Sequence, residues 1–97
     1  MTYRNRKLRE SARGQDCQLR IPGICNGNPE TTVWAHLNGH KYGKGMGHKS
    51  HDLFGLYACS ACHTYYDSRS YLDPGIEQQV QAACLRSLKI ACDEGVL

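Results

Sequence analysis

Six cysteines in a chain of 97 residues constrain the fold more than any other feature. A core of this size is marginal alone, so domains like it usually carry an added staple. Four of the six cysteines fall into two pairs. Cys59 and Cys62 form a C-x-x-C turn, and Cys17 and Cys25 bracket a second turn with seven residues between them. Zinc takes four thiolates in a tetrahedron, and two paired turns bring these together cheaply. This predicts one structural Zn²⁺ held by Cys17, Cys25, Cys59 and Cys62. A redox C-x-x-C follows a strand in a thioredoxin-like unit, and this chain lacks that pattern.

Metal and free thiols, rather than disulfides, suit a reducing compartment. Residues 1–14 read MTYRNRKLRESARG, with no apolar stretch of a secretory leader. No run of about 18 apolar residues occurs, so no membrane span is expected. The expectation is a cytoplasmic protein without a membrane partner, forming a single domain over 1–97. Its charge is uneven. Residues 1–51 carry nine Lys or Arg against three acids, a net +6, whereas residues 52–97 carry three against six, a net −3. Such asymmetry points to a polyanion for the front half. The candidate phosphate contacts are Arg4, Arg6, Lys7, Arg9 and Arg13 in a basic arm over 1–14, whose residues 1–12 read as either a short basic helix or a disordered arm, with Lys41, Lys44 and Lys49 in a later loop.

Local patterns place these groups on elements. Ile21-Pro22-Gly23 predicts a turn inside a short strand pair over 17–25. Residues 31–37, TTVWAHL, are β-branched and aromatic, and predict a strand. Residues 38–50 hold four glycines and three lysines, a long basic glycine-rich loop. Its GKGMGHKS string is not a phosphate loop, because His48 replaces the required second glycine. A helix is expected over 59–66, and a second with Asp73 as N-cap and Gly95 as its stop. Helical spacing from Ile76 to Cys92 puts Cys84 and Cys92 on the packed face as free thiols.

His63 directly follows the C-x-x-C, and the string HDLFGLYACSACH over 51–63 lies downstream of His36 on the proposed strand. Here the sequence resembles the HNH, or ββα-metal, endonucleases, whose zinc-bearing members show Asn-Leu-x-x-Leu-Cys-x-x-Cys-His after a strand-borne histidine. Asp52 stands where Asn is usual. ARGQDCQLRIPGICNGNPETTVWAH, followed by DLFGLYACSACH, is closer still to YbcO-like phage nucleases and, more distantly, to the recombination-enhancing Ref nucleases.

The resemblance implies an α+β, zinc-stapled ββα-metal domain with a short β-hairpin, the long loop and two helices. It implies phage or prophage origin, action on DNA in a bacterial host cell, and a link to recombination with a recombinase as partner. By that pattern His36 is the general base, Asp52 takes the Asn position, and His63 and Asp52 are ligands of a catalytic Mg²⁺ or Mn²⁺. Asp67, one helical turn past His63, would orient it. Ala35 stands where many HNH enzymes carry a ligand, so the cation would draw also on His40, His48 or His51. The competing function is a non-catalytic zinc module that binds nucleic acid or protein; a thiol oxidoreductase is more remote.

Overall fold

The computed structural model describes residues 3–38 and 51–97. Three α-helices and one hairpin make up the regular structure among these residues: α1 (Arg6–Glu10), β1 (Val33–His36), β2 (Gly55–Ala58), α2 (Ser60–Arg69) and α3 (Ile76–Asp93). One-turn 3₁₀ segments at Pro29–Thr31 and Ser70–Leu72 lead into β1 and out of α2.

β1 and β2 pair antiparallel, from Val33 opposite Ala58 to His36 opposite Gly55. Alternation sorts their side chains onto two faces. Ala35, Leu37, Leu56 and Ala58 join the larger core with the buried cysteines, Tyr66 of α2, and Ile76, Val80 and Ala83 of α3. Trp34 and Tyr57 face the other way, into a smaller core with Leu8, Ala12 and Ala91. Trp34 and Tyr57 meet edge to face, their ring centroids 5.0 Å apart. Helix α3 spans both cores. Its buried Ser87 ties it to the sheet, accepting the Tyr57 N–H at 2.9 Å while donating to the Ala83 carbonyl. At its C-terminus Gly95 adopts φ 77, and the N–H groups of Gly95 and Val96 return to the carbonyls of Cys92 and Ala91. That is a Schellman stop, which needs a left-handed residue and so favours glycine.

Several expectations change. Residues 17–25 form turns with no strand ladder. Arg20 and Gly23 both take positive φ there, which curls the chain around its sulfurs. Among the described residues there are three α-helices where the resemblance implied two, because the opening segment takes the helical alternative as α1 and is built into the fold. Asn5 caps α1 by accepting the Leu8 N–H, and Leu8 and Ala12 are buried in the smaller core. Helix α2 runs past Tyr66 to Arg69, with Cys59 as its N-cap. Helix α3 begins at Ile76 rather than beside Asp73, whose carboxylate accepts the Gly75 N–H just outside. Cys84 is buried as expected, but Cys92 is exposed on the outer side of α3. The loop residues His40, Lys41, Lys44, His48 and Lys49 lie outside the described residues.

Candidate functional site

The sulfurs of Cys17, Cys25, Cys59 and Cys62 all lie within 4.8 Å of one another. A tetrahedron with zinc–sulfur bonds of about 2.3 Å has edges of about 3.8 Å, and the Cys59–Cys25 separation is 3.8 Å. Backbone N–H groups point at the sulfurs, from Arg20 to Cys17 and from Cys62 to Cys59, each at 3.4 Å. The positive φ of Arg20 turns its N–H inward. Burial opposes the Cys59 thiolate, yet the N–H groups of Cys62 and Asn26 and the adjacent thiols bring its pKa down to about 7. Burial pushes Cys25 and Cys62 up, and neighbouring sulfurs add to this. Four soft donors so close, with one already poised as a thiolate, suit a tetrahedral metal whose charge would deprotonate the rest.

A second centre lies at the other end of the hairpin. Asp52 is fully buried, and its carboxylate is surrounded by donors. His36 Nε2 lies 2.8 Å from Oδ1, and Arg4 Nη1 lies 3.5 Å from the same oxygen. Oδ2 accepts the Asn5 N–H at 2.6 Å and Arg9 Nε–H at 3.1 Å. The main chain is pinned as well: the Trp34 indole donates to the Asp52 carbonyl, and the Asp52 N–H donates to the Tyr3 carbonyl. Burial opposes the charged form. The Asn5 N–H, His36, Arg4 and Arg9 more than offset it, so Asp52 titrates below the ordinary carboxylate range. An ionised Asp52 can only accept from His36. The neutral imidazole then carries its proton on Nε2 and keeps a basic lone pair on Nδ1. Gly55, opposite His36, permits this packing; a Cβ there would collide with the Trp34 indole.

His63 lies on α2 with Nε2 3.1 Å from the Asp67 carboxylate, an i,i+4 pair on the helix. Asn38, just beyond β1, donates from its side-chain amide to Asp67 at 3.3 Å and from its backbone N–H to the Tyr66 hydroxyl at 2.9 Å. His51 accepts the Tyr3 N–H on Nδ1 and lies edge to face with Phe54. Among the described residues, the cysteines form the only group of three or more His, Cys, Asp or Glu donors close enough to share an ion. Ala35 is 1% exposed within the larger core.

The basic arm divides by role. Arg4 and Arg9 turn inward to Asp52, and Arg6 pairs with Glu10 at 2.7 Å on the surface. Lys7 and Arg13 are exposed, with no ion pair among the described residues. Sequence reasoning missed the grip of Asn5, Arg4 and Arg9 on Asp52. No local spacing signals it, since these partners lie 43 to 48 positions away.

The family model described as "Putative nuclease YbcO" matches residues 6–96. "Putative nuclease YbcO" of Escherichia coli (strain K12) is 45% identical over 92 residues, covering 93% of this chain and 95% of that one. The protein of the same name from Enterobacteria phage 82 matches to the same extent. A solved structure, described as a putative bacteriophage protein from Escherichia coli str. K-12 substr. MG1655, superposes with a TM-score of 0.73 at 42% identity. That likeness covers 92% of this chain and the whole of the other.

Proposed function

This chain belongs to the YbcO family, and from that premise we propose that it is a metal-dependent DNA endonuclease of the HNH type. The observation that carries the proposal is the 2.8 Å contact between His36 and a fully buried Asp52, whose carboxylate also accepts from the Asn5 N–H and Arg9. His36 Nδ1 takes the proton from the water that attacks phosphorus. Asp52 is a positioning residue in this reading, acting through His36 by fixing its tautomer and opposing its drift. Both Asp52 oxygens already serve protein donors, so it holds His36 rather than a cation. His63, with Nε2 on Asp67 and Nδ1 without a partner among the described residues, would be a ligand of Mg²⁺ or Mn²⁺, together with donors from residues 39–50. When bound, that cation would offset charge developing on the phosphate and the leaving oxygen. The four cysteines hold structural Zn²⁺ and fix the start of α2, which carries His63. The phage source of one close relative supports a role in phage or prophage DNA processing, with a recombinase as the partner to seek.

A non-catalytic zinc module is the second reading. Ala35 favours it, because a methyl side chain offers no metal ligand at that position. Nicking of supercoiled plasmid with Mg²⁺ or Mn²⁺ separates the two. The nuclease reading expects His36→Ala to lower cleavage by roughly 10²–10⁴-fold, the usual contribution of a positioned base. DNA affinity, bound zinc and the cooperative melt should persist. A wild-type protein that binds DNA but cuts no form of it with either cation leaves the module.

A further inference from the structure

A groove of about 500 Å³ lies beside the start of β1, between Arg9 and Arg13 on one wall and Thr32, Val33 and Trp34 on the other. It touches consecutive strand residues and none of β2, so it follows the free edge of β1 rather than either face. Hydrogen-bond parity shows what that edge offers. Tyr57 spends its N–H on Ser87 and its carbonyl on the Gln18 N–H, both away from β1. Its cross-strand neighbour Trp34 is therefore in a non-hydrogen-bonded pair and turns its own N–H and carbonyl to the free edge. By the same alternation, so does His36.

Three further observations concern a ligand. Arg13 is exposed without an ion pair among the described residues. The Thr32 hydroxyl is the one buried side-chain polar atom without a partner among them. The inner wall also belongs to the histidine centre, since Arg9 bonds the Asp52 carboxylate and Trp34 the Asp52 carbonyl. Two strand residues, about 6.6 Å, separate Trp34 from His36.

We infer that this groove is a subsite for one strand of nucleic acid, receiving the nucleotides that flank the bond presented to His36. The inference rests on the nuclease reading above and adds where the substrate lies. Arg13 meets a phosphate, and the Trp34 N–H turned to the edge is a second donor to the sugar-phosphate backbone. Val33, 39% exposed, offers an apolar contact to a sugar. Glu30, also in the lining, repels phosphate, so that part of the groove faces a base edge instead. An extended peptide adding a strand is the other candidate. The edge is only four residues long, and its continuity with His36 and an Arg13 without an ion pair among the described residues favour the nucleic acid.

Trp34 is the only tryptophan in the chain, so its emission reports occupancy directly. The test titrates the His36→Ala protein, which leaves the probe uncut, with single-stranded and duplex 12-mers over a salt series. The expected result is a saturable change in Trp34 emission. Arg13→Gln should lower the slope of log affinity against log salt by about 0.7 to 0.9, one phosphate contact. Val33→Glu, an exposed change that the fold tolerates, should weaken binding at least tenfold. Oligonucleotide binding that leaves Trp34 silent and both variants at wild-type affinity and slope overturns the groove alone. An emission change with an extended peptide but with neither 12-mer also overturns it. A protein that binds no nucleic acid by any measure overturns the parent reading, and the groove with it.

Discussion

The cysteine cluster and the His36–Asp52 pair lie at opposite ends of the same two-stranded hairpin, and they are assembled by different means. At the Ala58 end, two turns fold back on themselves, and the sulfurs are served largely by backbone N–H groups of those turns. At the Gly55 end, the carboxylate of Asp52 collects donors from β1 and from the distant N-terminal segment. Read as a zinc site, the first centre would depend on its metal; the second depends on the rest of the fold being in place. This difference implies different ways of failing.

The largest effect is expected at the cysteine end. Structural zinc contributes on the order of 10 kcal/mol in small domains, which rivals the whole stability of an ordinary one. Cys62→Ser or a strong chelator should abolish the cooperative thermal transition and release one zinc per chain. A chelated protein that still melts cooperatively would break the comparison, by showing that the two hydrophobic cores suffice.

The same contrast explains what could be read from sequence. The cluster was legible because C-x-x-C and the Cys17–Cys25 turn are short-range patterns, with the metal chemistry written in the residue types. β1 was legible from the β-branched and aromatic run over 31–37, and α3 from the helical spacing between Ile76 and Cys92, whereas the pairing of β1 with β2 came only from the family resemblance. The supposed strands over 17–25 were not, because positive φ at Arg20 serves sulfur geometry and leaves no trace in propensity. The inward turn of Arg4 and Arg9 was hidden for another reason. A cluster of basic residues near a terminus looks the same whether it faces solvent or a buried carboxylate more than forty positions away.

The histidine end should respond to the small core beneath α1. Leu8 is fully buried against Trp34 and Tyr57 in that cluster. Leu8→Ala should cost about 2–5 kcal/mol, the usual range for a buried leucine. The loss should loosen α1 and, with it, the Asn5 and Arg9 contacts to Asp52. Denaturation of zinc-loaded protein measures the cost. A change below the lower bound would mean that α1 is held by its polar contacts rather than by packing.

Acid should act on the same contacts. Asp52 has its folded pKa depressed below the unfolded value near 3.8. Its stabilising contribution is therefore complete above that value and is lost as pH falls through the folded pKa. Acid also protonates the cysteine thiolates and releases metal, so wild type alone does not isolate the term. Asp52→Asn carries the same cysteines and lacks the carboxylate. Thermal melts in steps downward from pH 5, compared only at steps where both proteins still hold their zinc, should show a difference between the two that shrinks as pH falls to about 4 and below. A constant difference would mean that Asp52 contributes by shape and not by charge.

The smallest expected effect distinguishes neighbours on one helix. Lys7 and Arg9 are two residues apart on α1, yet Lys7 faces solvent while Arg9 Nε is committed to Asp52. If exposed cations meet phosphate and inward ones do not, Lys7→Gln should reduce the salt slope of DNA binding by about 0.9 on duplex. Arg9→Gln should leave the slope nearly unchanged and instead lower cleavage at saturating DNA, because it frees Asp52 to move and His36 with it. Arg9→Lys should recover only part of that rate, since a flexible ammonium does not place a donor where the Arg9 Nε–H meets Oδ2 at 3.1 Å. Anisotropy titrations over a salt series and single-turnover cleavage give both readouts. Equal slope losses for the two substitutions would return Arg9 to the phosphate-binding surface, with the hold on Asp52 left to Asn5, Arg4 and His36.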